Sequence, residues 1–596
     1  MLFSAALGAT AANGTAAPKV LRLAFPVAET GFDPTQISDL YSRTVTPHIF
    51  EALYQYDYLA RPVKVKPLTA EAMPQMADGY RTGTVKLRPG IYFADDPAFN
   101  GAKRELVAAD YVYALKRFAD PALKSPVWTG VESVKYVGLK ALRQKALDSK
   151  QPFDYDTEIP GVRALYRYTI QYRLEEPDPR FTENNLAASD LFGAVAREMV
   201  ERYGDTIAAH PVGTGPFKLE QWRRSSLIVL ERNPAFRDMR WNAEPAADDA
   251  AGQALLKRFK GRKLPMVDRV EVSIIEEAQP RWLAFLNAQI DLIENVPAEF
   301  VNAAMPNGKV APNLAKQGIR GARYLRADAG MTLFNMEDPL VGGYTPDKVA
   351  LRRAIALGVD LDREIRLVRR GLAIPAQSPV VPHTSGYHAA FKSENSEYDP
   401  ARAKALLDLY GYVDRDGDGW REQPDGSPLV LLKTTQPDQV SRQLDELWQR
   451  DMGAIGLRMR FVPGKWPENL KAARAGKLMM WGVGSMAAAA DGQGSLARLY
   501  GPMTGGQNMA RFKLPEMDAP YERMKVLPDG PEREALFEQA KRIAVAYMPY
   551  KTHLHRYVVD MLHPWLEGYV RPLFWQEWWH MVDIDNALRV RGKGHS

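Results

Sequence analysis

Apolar and polar positions alternate at two different periods along this chain, and the periods trade places often. Residues 20–25 (VLRLAF) alternate as a half-buried strand does. Residues 84–87 do the same and stop at the Pro89-Gly90 turn. Residues 168–174 alternate ahead of Pro177 and Pro179, and 270–275 (VEVSII) read as a further strand. Residues 107–119 (VAADYVYALKRFA) follow the helical period instead. Thr345-Pro346-Asp347 supplies a cap and a first-turn proline, which predicts a long helix to Arg370, closed by Gly371. Asp399-Pro400 opens another helix with its stop at Gly411, and 441–455 and 531–546 are helical by period. Two stretches, 139–160 and 241–262, are polar or weakly periodic and read as surface insertions. Strands mixed with helices, without a repeat, predict α/β architecture.

The length raises the domain count. At roughly 150 residues per domain, 596 residues suggest about four core-sized units. Hydrophobic residues are 46% and charged residues 25%, the balance of a globular protein. The net charge of +6, without a Lys/Arg block, argues against nucleic acid as a partner. With no cysteine, disulfides, Cys-ligated metal sites and a cysteine nucleophile are excluded. No run of 18 apolar residues exists to cross a membrane. Residues 1–18 resemble the tail of a secretory signal, apolar over Met1–Leu7 with the small Ala9-Thr10-Ala11 after it. Export is expected, and the absence of cysteine favours a freely soluble protein over a lipid-anchored one.

Catalytic motifs are scarce. There is no Walker A loop, nucleophile elbow, dinucleotide fingerprint or zinc-protease motif. Gly213-Thr214-Gly215 continues into Pro216, which lacks the N–H a phosphate cradle needs. His553 and His555 are spaced to share one face of a strand, where they would be a metal pair or two polar strand residues. Asp414, Asp416 and Asp418 with Gly419 follow a calcium loop, but position 12 holds the short Asp425, so a Gly/Asp turn is the better reading. Trp575, Trp578 and Trp579 read as core.

Five ordered segments carry a resemblance. They are Phe32-Asp33-Pro34 with Ile49–Tyr54; Leu87–Phe93 with Ala108–Tyr113 and Arg117; Pro211–Phe217 with Trp222 and Leu230–Pro234; Phe334-Asn335 with Arg352–Ile355 and Asp360; and Tyr398-Asp399-Pro400 with Ala403–Leu407 and Gly411-Tyr412. Together they resemble the extracellular solute-binding proteins of family 5, which feed peptide and nickel ABC importers. The resemblance implies a type II periplasmic-binding-protein fold: two lobes closing like a flytrap on a ligand, with an extra subdomain in the first. On that template the first lobe comprises 19–50, 205–330 and 557–596, the extra subdomain 51–204 and the second lobe 331–556. The hinge would fall near 332–335 and 553–557. The implied protein is a periplasmic monomer, not an enzyme, with no cofactor or resident metal, a peptide or peptide-like ligand and a membrane permease as partners.

One departure matters. Peptide-binding members carry W-x-x-D on a second-lobe strand, the aspartate holding the ligand's α-amino group. Here Trp481, Gly482, Val483, Gly484 and Ser485 occupy that stretch, with glycine at the aspartate position. Either Asp491 substitutes from the following loop, or the ligand is not an ordinary peptide. Further cleft candidates implied by the resemblance are Ser38, Asp39, Leu40, Tyr41 and Asn295 in the first lobe, and Asn508 and Arg511 in the second. Alternatives are an extracellular sensor on the same fold, or a binder of a metal chelate, an opine-like compound or another small solute.

Overall fold

The protein is described by a computed structural model covering residues 17–593; the signal-like Met1–Leu7 and Ala9-Thr10-Ala11 lie outside the described residues. Val20–Phe25 pairs in parallel with Arg269–Ile274, and Leu227–Arg232 and Phe217–Arg223 complete a four-stranded sheet. Its alternating apolar positions, Leu21, Leu23 and Phe25, meet Trp241, Phe259, Trp578 and Trp579 in one core. Beside it, Ala108–Ala119 lies over the sheet of Gln75–Ala77, Thr82–Lys86, Thr169–Arg173 and Val162–Tyr166. Tyr111, Leu115 and Phe118 of that helix join Val85 and Ile170 in a second core. These units, with a smaller cluster around Trp282 and Phe285, make the first lobe.

The second lobe is built on Asp328–Phe334, Met480–Met486, Val430–Thr435 and Arg458–Pro463. Helices Pro346–Gly358, Gln439–Ala454 and Pro531–Tyr547 supply Leu351, Ile355, Trp448, Met452, Phe537 and Ala540 to its two cores.

One strand serves both lobes. Tyr550–Leu562 has 13 residues, about 40 Å at ~3.3 Å per residue. Its first half pairs with Asp328–Phe334 and Ala373–Pro375; its second half pairs with Arg320–Leu325 and Leu292–Ile293. The pairing changes partner at Arg326-Ala327, opposite Arg556. Asp328, fully buried, accepts from the Arg556 backbone N–H at 3.0 Å and from Arg556 Nε at 2.9 Å, which fixes the crossing. Arg556–Val558 are the half-buried part of this otherwise buried strand.

Several local readings need correction. The single helix expected over 345–370 is two, Pro346–Gly358 and Leu361–Leu367. Asp360 ends the first by capping the second, its carboxylate accepting from the Arg363 N–H at 2.9 Å. The stretch 139–160 contains helix Leu139–Ser149, anchored by buried Leu139 and Leu142. The stretch 241–262 begins with a fully buried Trp241, whose Nε1 donates to the Met581 carbonyl at 3.1 Å, and ends in helix Ala250–Phe259. A few widely spaced anchors hold these segments down, too sparse to show as a period. Gly213 and Gly215 are required by close backbone approach: a Cβ would lie 2.1 Å from the Ile49 carbonyl oxygen at one and 2.6 Å from that of His48 at the other.

The Asp33 and Arg117 of the sequence motifs meet in a two-pronged ion pair, at 2.8 and 2.9 Å, with both side chains essentially inaccessible. Removing one partner of such a pair leaves a buried charge, at a cost of about 3–5 kcal/mol. Arg117→Met is expected to lower the unfolding free energy from urea titration by that amount, and adding Asp33→Asn to restore a substantial part; a double variant as unstable as the sum would contradict this pairing.

Candidate functional site

Met480–Met486 pairs along its whole length with Asp328–Phe334, but with Val430–Thr435 only through Met480 and Trp481. From Gly482 onward no second strand among the described residues covers that edge. A cavity of about 450 Å³ opens there, walled by Ser485, Met486, Asp491, Arg498 and Gln507 of the second lobe and Asn184 of the first. A second cavity of about 280 Å³ runs from the crossing strands toward Trp448, Trp466 and Trp481. Gly484 lines both. A Cβ built at Gly482 or Gly484 would meet no atom within 4 Å.

The main cavity holds two arginines that no carboxylate pairs with among the described residues, Arg498 in its wall and Arg474. Arg498 donates from Nε to the Ser495 carbonyl at 2.8 Å and from Nη2 to the Ser485 hydroxyl. No carboxylate among the described residues pairs with it, and burial pulls its pKa below the ordinary arginine value. Arg474, exposed, lines the same cavity.

Asp491 is the reverse case, a carboxylate shared between two arginines. Arg533 of the second lobe reaches it at 2.6 Å and Arg180 of the first at 2.9 Å. Ser385 Oγ and the Gln493 N–H also donate to it, at 3.2 and 3.1 Å. Arg180 grips the second lobe further through the carbonyls of Met524, Lys525 and Leu527. Lys525 pairs back across the boundary with Glu176 at 2.9 Å. Asp491 therefore joins the lobes, and an incoming ammonium would have to compete with two guanidinium groups for it.

The other candidates fall into separate places. Trp481 is buried, its ring 4.9 Å from Trp466, and it walls the smaller cavity; Val483 points into the apolar core. Ser38 and Leu40 are exposed. Asp39 caps helix Leu40–Val45, accepting from the Ser42 N–H at 2.8 Å and the Thr30 hydroxyl at 2.6 Å. Burial opposes ionisation of Asp39, but those hydrogen bonds outweigh it and its pKa lies below the usual value. Tyr41 packs 4.9 Å from Phe25. Asn295 has a left-handed backbone (φ 54°), and its side-chain oxygen accepts from Arg571 at 3.0 Å. Neither cavity includes these first-lobe residues. Asn508 is fully buried, its amide donating to the carbonyls of Tyr500 at 3.0 Å and Phe512 at 2.7 Å. Arg511 is ion-paired with Glu337.

The two histidines do not converge on one point. A β-bulge interrupts the pairing between Met331–Thr552 and Gly330–Leu554, so His553 is the extra residue. His553 contacts Glu364 at 3.0 Å and Thr332 at 2.9 Å, whereas His555 contacts the Asp328 carbonyl at 2.7 Å. Among the described residues the one carboxylate group tight enough for a cation is Asp414, Asp416, Asp418 and Glu422, within 4.8 Å. Its oxygens already accept from the loop's own N–H groups, at Gly417, Gly419 and Trp420 among others, as a turn requires.

Arg498, Lys433, Trp448 and Trp466 went unread in the sequence. One arginine among 78 basic residues carries no signal of its own, and its cavity is assembled from segments far apart in the chain.

The profile of the bacterial extracellular solute-binding proteins, family 5 (middle region), matches residues 64–507. Di/tripeptide-binding protein 2 of Pseudomonas aeruginosa is 26% identical over 564 residues, covering 93% of each chain. Heme-binding protein A of Haemophilus influenzae is 25% identical, covering 87% of this chain and 84% of its own. Among solved structures, the unliganded open form of the periplasmic murein tripeptide binding protein MppA superposes with a TM-score of 0.71 at 18% identity, covering 96% of this chain and 98% of that one. DppA of Helicobacter pylori, in complex with the peptide STSA, superposes with a TM-score of 0.67 at 22% identity, covering 95% and 98%. Among the described residues no helix is long and apolar enough to cross a membrane. With the two lobes, the cleft between them and a match over most of its length, the chain belongs to family 5 of the bacterial extracellular solute-binding proteins, the periplasmic binding proteins of ABC importers.

Proposed function

We propose that this protein captures a carboxylate-bearing, peptide-like solute and presents it, enclosed between its lobes, to a membrane permease. The carrying observation is Arg498: a guanidinium in the cavity wall, desolvated and without a carboxylate, beside a glycine where an amine-holding acid would stand. A ligand carboxylate would complete the pair with a charge-assisted, fork-shaped contact. The uncovered edge of Met480–Met486 supports a peptide-like ligand, because an extended backbone can add to it as a further strand. Ligand bridging the lobes would favour closure by its differential affinity for the closed state. The segments assigned to each lobe from the sequence motifs, and Ser38–Tyr41 and Asn295 as a first-lobe border of the site, belong to this proposal. The relatives' names support peptides as a ligand class, one being a di/tripeptide-binding protein. The lack of an amine-holding acid at Gly484 favours, as a second reading, a non-peptide organic acid at the same arginine.

Calorimetry with N-acetylated dipeptide acids and their C-terminal amides separates the requirements. The acids are expected to bind and the amides not; Arg498→Gln should weaken the acids by about 30-fold or more, the loss for an unpaired buried charge contact. Equal binding of acids and amides would contradict the carboxylate role. Gly484→Asp has open space for its side chain and is expected to create or strengthen affinity for free-amine dipeptides; no change would mean this strand does not face the ligand's amino end. Asp491→Asn weakens the Arg180 bridge, so X-ray scattering should report a larger radius of gyration without ligand. An unchanged radius would place the closing force elsewhere.

A further inference from the structure

We propose that His48 and His580, buried together in the core of the first lobe, form a two-imidazole site for one soft, monovalent metal ion of the Cu(I) class. The site is independent of the solute reading above. Its two residues come from opposite ends of the chain. His48 closes the short helical turn Thr46–His48, and His580 is the middle of the turn Trp579–Met581. The His48 ring lies flat on Trp579, 4.0 Å away at 10°, and edge-on to Phe217 at 6.2 Å. Its centre is 6.2 Å from that of the His580 ring.

What marks the pair is unmet bonding capacity. His48 is 0% exposed, yet neither of its ring nitrogens has a hydrogen-bond partner among the described residues, and Nδ1 of buried His580 has none either. The Gln576 carbonyl is near enough to His48 to favour its protonation but meets neither nitrogen in hydrogen-bond geometry. A buried imidazole in this state costs free energy unless a water or an ion takes its lone pair. Both rings are held neutral, the form that ligates a metal. Burial and then His580 push His48 well below the ordinary imidazole value, and burial with Arg237 and Lys66 brings His580 down to about 3. The spacing chooses the ion. Two imidazoles meeting one ion from opposite sides, with bonds of ~2.0 Å, have ring centres about 6.3 Å apart, against about 5.2 Å at a tetrahedral angle. The observed 6.2 Å fits opposed nitrogens, the geometry of two-coordinate Cu(I). Charge argues the same way. The nearby carboxylates Glu51 and Asp57 are already taken by Arg237 at 2.7 Å and Lys66 at 2.9 Å, so a single positive charge costs less to bury here than a double one. The ion would tie the N-terminal segment of the first lobe to its C-terminal return, a closure that a chain without cysteine cannot make by disulfide.

Anaerobic titration of the full protein with Cu(I) held by the competing chelator bicinchoninate tests the site. One equivalent is expected to pass to the protein, and X-ray absorption should show two nitrogen neighbours at about 2.0 Å. His48→Phe, which keeps a ring against Trp579, and His580→Phe should each weaken binding by more than about 100-fold, beyond the ~10–100-fold that loss of a merely supporting residue costs. His388→Asn, at an exposed histidine, should leave binding unchanged. No Cu(I) withdrawn from the chelator, copper held by sulfur or oxygen alone, or binding that survives both phenylalanine substitutions overturns the site. Where a variant does not fold, the absorption spectrum of the unaltered protein decides.

Discussion

Everything in this molecule turns on one strand that cannot choose between two lobes. Tyr550–Leu562 is hydrogen-bonded to second-lobe strands in its first half and first-lobe strands in its second. Backbone groups in a buried strand must be paired, so both lobes are tied to it residue by residue. The half-buried stretch at Arg556–Val558 is the place where bending disturbs least. Asp328 clamps Arg556 there, a buried carboxylate with two donors from one residue. The lobes are thus joined covalently and by sheet, and in the proposed closure Arg556–Val558 is the segment that would bend.

Across the mouth of the cleft the contacts are of another kind. Lys525 and Glu176 form an exposed ion pair, whereas Arg180 and Asp491 form a largely buried one, with further hydrogen bonds from Arg180 to carbonyls. Pairs with access to solvent contribute little each, of order 1 kcal/mol or less, and weaken with salt. The lobes meet here through charges and carbonyls, contacts that a ligand's differential affinity could strengthen or replace. A deep apolar interface in their place would hold the lobes shut without cargo. Asp491 therefore has a job in joining the lobes that is separate from any contact with ligand.

The sequence displayed the fold where its signals were local. Val20–Phe25 and Arg269–Ile274 alternate because each buries one face, and helix Pro400–Leu409 announces itself through Asp399 and Pro400. The segment around Trp241 shows no apolar period because one buried indole, bonded to a carbonyl 340 residues away, does the anchoring. The helix break at Asp360 leaves no mark on the apolar period, which continues through it while the cap interrupts the backbone. Of the site, Gly484 was legible because its neighbour Trp481 marks the strand. Arg498 and the tryptophan-lined cavity were not, because they exist only once helices from three parts of the second lobe pack against that strand. Solvent-exposed candidates such as Ser38 carry no packing signal in either direction.

The most direct measurement is a crystal structure of the protein with the solute it retains when purified from its own cell. The account predicts an anionic group of that solute within about 4 Å of the Arg498 guanidinium, the distance of an ion pair, with Arg180 still on Asp491. A bound solute whose ammonium has displaced Arg180 from Asp491, with no anionic group near Arg498, would contradict it.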